Sequence, residues 1–138
     1  MSSFADQKSD GSKSETPTGP LGRPHHVVPL TLDQLERTAD MFGTPFQLYD
    51  EGAIRANARA LISAFTAQFP GFRQHFAVKA LPNPAILRAL MEEGCGLDCS
   101  STSELHIAAK LGCAGDHVCF TSNFTSREDL RIAAEQGV

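Results

Sequence analysis

The sequence predicts an α/β protein built from parallel strands joined by crossover helices. Three short strand-like runs occur, at Phe76-Ala77-Val78, Leu97-Asp98-Cys99 and Val118-Cys119-Phe120, and each is followed by a turn and a helical pattern. The helical patterns repeat one another, with apolar residues at i, i+3 and i+4 and a glycine three residues later: Leu87, Leu90, Met91 and Gly94, then Leu105, Ala108, Ala109 and Gly112, then Leu130, Ala133, Ala134 and Gly137. Strand–helix alternation with links this short requires parallel strands. An open doubly wound sheet and a (β/α)8 barrel both accommodate the pattern, and periodicity does not separate them. No glycine-rich G-x-G-x-x-G loop or P-loop follows any of the runs, which weighs against dinucleotide and nucleoside-triphosphate folds.

The elements follow in order. Residues 1–24 hold only Met1, Phe4, Ala5 and Leu21 as apolar side chains among Ser, Gly, Pro, Thr and mixed charges. Such a segment cannot bury enough surface to offset its ordering entropy, so it is expected to be a disordered tail. Residues 25–50 read as a leading helix and strand. Thr31 and Gln34 have the spacing of a capping box, Leu32, Leu35 and Phe42 form an apolar face, and Gly43 suits the helix end. The run Thr44-Pro45-Phe46-Gln47-Leu48-Tyr49 is expected to be a short strand with Pro45 at its start or on an edge. Residues 51–138 form the α/β region. Asp50 is placed to cap a helix whose apolar stripe is Ile54, Ala58, Leu61, Ile62, Phe65 and Phe69, stopped by Pro70-Gly71. Asn83 followed by Pro84 starts the next helix, and the pairs Ser101–Glu104 and Thr125–Glu128 are expected to cap the last two.

Composition narrows the function. The 138 residues carry 16 acidic and 12 basic side chains, a formal charge of −4, which disfavours nucleic acid and anionic membrane surfaces as partners. No apolar run approaches the roughly 20 residues that span a bilayer. The first residues lack the apolar stretch of a secretion signal, so the expected location is cytoplasmic, with the four cysteines (Cys95, Cys99, Cys113, Cys119) as free thiols. They show no C-x-x-C spacing, and no metal site is expected.

In either architecture ligands bind where strands end at their carboxyl side. Lys79 ends the run His75-Phe76-Ala77-Val78-Lys79-Ala80. An apolar surround disfavours an ammonium ion, and a neutral amine is what Schiff-base chemistry with an aldehyde needs; a strand-end lysine that reaches into solvent fits the same position. Asp98 lies in the otherwise uncharged stretch 94–102. It suits a carboxylate that orients Lys79 or a cofactor, or one bonded within its own turn. Ser100, Ser101, Thr102 and Ser103 crowd the second turn, where hydroxyls either bind an anion or cap the helix. Asn123 in the third turn is a ligand contact or a turn residue.

Four segments resemble, in order and spacing over about residues 42–138, the pyridoxal-phosphate decarboxylases of the ornithine/diaminopimelate/arginine group. They are Thr44 to Asp50, Phe76-Ala77-Val78-Lys79-Ala80-Leu81-Pro82-Asn83-Pro84, Gly94-Cys95-Gly96-Leu97-Asp98-Cys99-Ser100-Ser101 with Ser103-Glu104-Leu105, and Val118-Cys119-Phe120-Thr121-Ser122-Asn123 with Glu128-Asp129-Leu130. The resemblance implies the first three βα units of a (β/α)8 barrel of the alanine-racemase type, with the family's C-terminal β-domain absent from this chain. It implies pyridoxal 5'-phosphate as cofactor, Lys79 as the catalytic Schiff-base lysine, and Ala77 and Asp98 beside the cofactor. The second and third segments are most similar to diaminopimelate-decarboxylase members, which implies an amino-acid substrate, carbon dioxide as product, a place in lysine biosynthesis and a homodimer at full length. Ser103 stands where many relatives have glycine. A barrel takes about 250 residues, so the chain is expected to break off within one, near Val138, where a fourth strand would begin. The alternatives are an incomplete homologue that pairs with a full-length decarboxylase, or another pyridoxal-phosphate barrel enzyme such as an amino-acid racemase.

Overall fold

The computed structural model describes residues 28–138. The tail expected over 1–24 lies outside the described residues. The chain divides into two units, one reaching to Gln47 and one running from Leu48 to Val138.

In the first unit, helix α1 (Leu32–Phe42) starts with the expected capping box: the Gln34 N–H donates to Thr31 Oγ1, and the Thr31 N–H donates to Gln34 Oε1 at 2.8 Å. The strand expected over 44–49 does not form. A strand exists only against a partner, and the three strands that do form pair with one another. Pro45 also brings no N–H to a ladder.

The second unit holds the α/β repeat. Helix α2 (Glu51–Thr66) is capped by Asp50, whose Oδ1 accepts from the Ala53 N–H at 3.0 Å. There follow β1 (His75–Ala77), a 3₁₀ turn (Val78–Ala80), α3 (Pro84–Glu92), β2 (Gly96–Cys99), α4 (Thr102–Lys110), a second 3₁₀ turn (Gly115–His117), β3 (Val118–Phe120) and α5 (Arg127–Glu135). Asn83 and Pro84 start α3 as expected. The cap of α5 falls one residue later than Thr125: Ser126 and Asp129 form the capping box, and the Thr125 Oγ1 hydroxyl points instead to the Ser122 carbonyl, to which it donates at 3.1 Å.

The strands are parallel in the order β1-β2-β3. Phe76, Leu97 and Val118 share one row across the sheet, and Cys99 pairs with Phe120 in a second. These side chains pack with Leu87 of α3, Leu105 and Ala108 of α4 and Ala133 of α5. Phe76 also joins a second cluster, Ala58 of α2 with Ile86, Leu90 and Cys95. All the crossover helices therefore cover one face. A doubly wound sheet would divide its helices between two faces; sequential strands with helices on one side are the winding of a barrel segment.

The glycine that closes each repeat has one job. Gly94, Gly112 and Gly137 have φ values of 93, 79 and 73°, a region other residues avoid. Each ends its helix in the same pair of backbone bonds: Gly94 N–H to Met91 O and Cys95 N–H to Leu90 O, Gly112 to Ala109 and Cys113 to Ala108, Gly137 to Ala134 and Val138 to Ala133, all at 2.9–3.1 Å. Between helices, Arg55 of α2 reaches Glu92 at 2.6 Å, Glu93 at 3.2 Å and the Ala89 carbonyl at 3.2 Å, and it also holds Glu51 on its own helix. Hydrogen bonds to Glu92, Glu51 and Glu93 push its guanidinium well above its ordinary range.

Gly96 is a steric requirement. A Cβ there would lie 2.5 Å from the His117 carbonyl oxygen and 2.5 Å from Cδ2 of His75. Gly96→Ala should destabilise the protein by about 1–3 kcal/mol, and Leu97→Ala, which empties a fully buried site, by about 2–5 kcal/mol. Urea unfolding measures both; a Gly96→Ala protein as stable as its parent would contradict the close approach of the His75 ring.

Candidate functional site

Side chains alternate along a strand, so the residues between the core rows point to the other face. His75 pairs with Gly96, and Ala77 pairs with Asp98, which pairs with Cys119. No helix residue belongs to these rows. Ala77 and Asp98 are half-buried and Cys119 is exposed, whereas Leu97 and Cys99 beside them are fully buried. Burial pushes the Cys99 thiol up to about 12, so it stays protonated and inert at neutral pH. His75 lies over Gly96, and its Nε2 is buried with no hydrogen-bond partner among the described residues.

Lys79 stands at the carboxyl end of β1, in the 3₁₀ turn rather than in the strand itself. Val78, expected as the last strand residue, opens that turn with its side chain fully buried in the core, and the Leu81 N–H donates back to its carbonyl at 3.1 Å. This turn lifts Lys79 clear of its apolar neighbours. It is exposed, not half-desolvated, and forms no hydrogen bond or ion pair with any described residue.

Asp98 bonds to Thr121, which stands at the end of the third strand run, where ligand-binding residues are expected. Its Oδ1 accepts from Thr121 Oγ1 at 2.5 Å. Alternation could have found this contact: Thr121 lies two residues past Cys119, on the same face and one row above Asp98. The serines of the second turn serve the chain itself. Ser101 Oγ caps α4 by accepting from the Glu104 N–H at 3.3 Å, and the Glu104 carboxylate accepts from the Ser100 N–H at 2.9 Å and from both serine hydroxyls. The carboxylate sits in the first turn of α4, where the helix dipole favours an anion, so the anion met by these hydroxyls is Glu104. Asn123 is exposed in the third turn and forms no hydrogen bond with a described residue.

The rows opposite the core thus carry the small side chain of Ala77 and the Asp98 carboxylate on the adjacent strand, and Lys79, exposed and without a partner among the described residues, follows directly after β1. Among the described residues no group of three His, Cys, Asp or Glu is placed to hold a metal ion. No helix among them is long and apolar enough to cross a membrane.

Comparison with known proteins gives the family. Residues 55–138 match the family model described as the pyridoxal binding domain of pyridoxal-dependent decarboxylases. Protein TabA of Pseudomonas amygdali pv. tabaci is 50% identical over 111 residues, which are 80% of this chain and 25% of TabA. Diaminopimelate decarboxylase of Methanothermobacter thermautotrophicus is 38% identical over 113 residues, 82% of this chain and 26% of that enzyme. Among solved structures, the lysine/ornithine decarboxylase of Vibrio vulnificus complexed with putrescine superposes with a TM-score of 0.68 at 32% identity, over 76% of this chain and 28% of that one. The chain spans about a quarter of the length of these relatives. Its three parallel strands and their helices form part of the decarboxylase barrel domain, and the chain belongs to the pyridoxal-dependent decarboxylases, within their pyridoxal-binding domain.

Proposed function

We infer that this chain supplies the amine side of the cofactor site in an amino-acid decarboxylase that uses pyridoxal 5'-phosphate, with diaminopimelate as substrate. The observation that carries this reading is the exposed amine of Lys79, without a partner among the described residues, directly after β1, whose last residue Ala77 pairs with Asp98. The donor set suits the cofactor. Lys79 offers the amine that an aldehyde carbon requires, the small side chain of Ala77 leaves room beside it, and Asp98 supplies a negative charge. Ser100 and Ser101 are committed to Glu104, so the cofactor's phosphate is assigned to other residues.

When bound, the cofactor supplies an electron sink for the pair left on the α-carbon as carbon dioxide departs. Lys79 would hold the cofactor through its amine nitrogen, and when not so engaged the same amine would be able to move a proton. The net change is loss of carbon dioxide from the α-carbon and its replacement by a proton. Diaminopimelate is the substrate favoured by the similarity to diaminopimelate decarboxylases.

The protein carrying this chain, loaded with pyridoxal 5'-phosphate, should show a visible absorption band. It should release carbon dioxide from diaminopimelate in preference to ornithine, lysine or arginine. Lys79→Ala should abolish the band and slow release by roughly three orders of magnitude or more. Survival of the band in Lys79→Ala would overturn the assignment of the lysine; preference for another amino acid would overturn the substrate.

A further inference from the structure

Thr121 is tied to β2 at two points. Its backbone N–H donates to the Cys99 carbonyl at 2.9 Å, which extends the ladder one residue past β3. Its Oγ1 donates to Asp98 Oδ1 at 2.5 Å, within the short range of O–H···O⁻ bonds. A threonine has restricted freedom about χ1, so a backbone fixed by the first bond also fixes where the hydroxyl points. An aspartate on an open sheet face turns about two side-chain bonds unless something holds it. One hydroxyl can satisfy one carboxylate oxygen only; it sets the plane of the group and leaves Oδ2 for a second donor. The neighbouring pairs show that this is local: Cys119, in register with Asp98, offers no comparable donor, and the serines after β2 are turned to Glu104.

We propose that Thr121 is a positioning residue that clamps the Asp98 carboxylate in one orientation on the face opposite the core, fixing the charge met by a cofactor held at Lys79. The proposal rests on the reading of Lys79 and Asp98 given above. Its consequence is electrostatic. A carboxylate held near the nitrogen that joins lysine and cofactor favours the protonated form of that nitrogen. Removing or loosening the carboxylate therefore lowers the pH at which the bound cofactor's visible absorption titrates.

The test is a pH titration of that absorption in the loaded protein for Asp98→Asn, Thr121→Val, Thr121→Ser and the double variant Asp98→Asn/Thr121→Val, together with kcat/KM. Thr121→Val should move the titration in the direction of Asp98→Asn by a smaller amount and lower kcat/KM about tenfold, the loss a charge-assisted hydrogen bond carries. Thr121→Ser, which keeps the hydroxyl, should restore both, and the double variant should match Asp98→Asn alone. If Thr121→Val fails to fold, Thr121→Ala removes the hydroxyl without bulk and is read in the same way. A titration moved by Asp98→Asn and unmoved by loss of the hydroxyl overturns the role of Thr121 and leaves the site reading standing. A titration unmoved by Asp98→Asn overturns the reading of Asp98 and the proposal with it.

Discussion

Strand β2 is the constraint on which the rest of the second unit depends. Its four residues, Gly96 to Cys99, are hydrogen-bonded to a parallel neighbour on each edge. The two-residue period then divides them. Leu97 and Cys99 go to the helices and are fully buried; Gly96 and Asp98 go to the other face. A slip of one residue would put an aspartate into the core and a leucine on the opposite face, so core and site specify the register together. Glycine at position 96 lets the His75 ring and the His117 carbonyl close over that face, which keeps its base tight while Asp98 stands at its open end.

The helices act as spacers that return the chain to this register. Each repeat ends on a left-handed glycine with the same two backbone bonds. The next residue (Cys95 after α3, Cys113 after α4) is buried at once. The ion pairs from Arg55 and Arg59 to Glu93 tie α2 to the end of α3, so the helix before β1 is fixed to the helix after it. Glu93 is largely covered and Arg55 half-buried, while Arg59 is exposed; the value of these pairs is geometric, because they join two helices that share only a small apolar cluster.

Much of this was legible from residue order alone. The repeat of Leu or Ala at fixed places before glycine located three helices and three strands, since those positions answer to burial and to φ, both local in their demands. Thr31, Asp50, Asn83 and Ser101 cap where their spacing says they should. The failures share a cause: they turned on partners distant in sequence or on competition between near neighbours. The segment 44–49 has the composition of a strand but no strand beside it. Thr125 matches a cap by spacing but bonds to Ser122, which leaves the cap to Ser126. For the serine cluster the sequence left anion binding and capping open; capping is what forms, and the anion that both hydroxyls meet is Glu104. Choosing one face for the helices required strand order, which periodicity does not contain. Thr121 and Asp98 are 23 positions apart, and only the register of β2 against β3 brings them together.

One amine, just past the end of β1, is assigned to a cofactor aldehyde. The described residues contain two lysines, Lys79 in the turn after β1 and Lys110 in the last turn of α4. Incubation of the protein with pyridoxal 5'-phosphate, borohydride reduction and peptide mass mapping compares them directly. The account predicts stoichiometric phosphopyridoxyl label on the peptide that carries Lys79 and background label on Lys110. Equal labelling of the two, or label concentrated on Lys110, would contradict it.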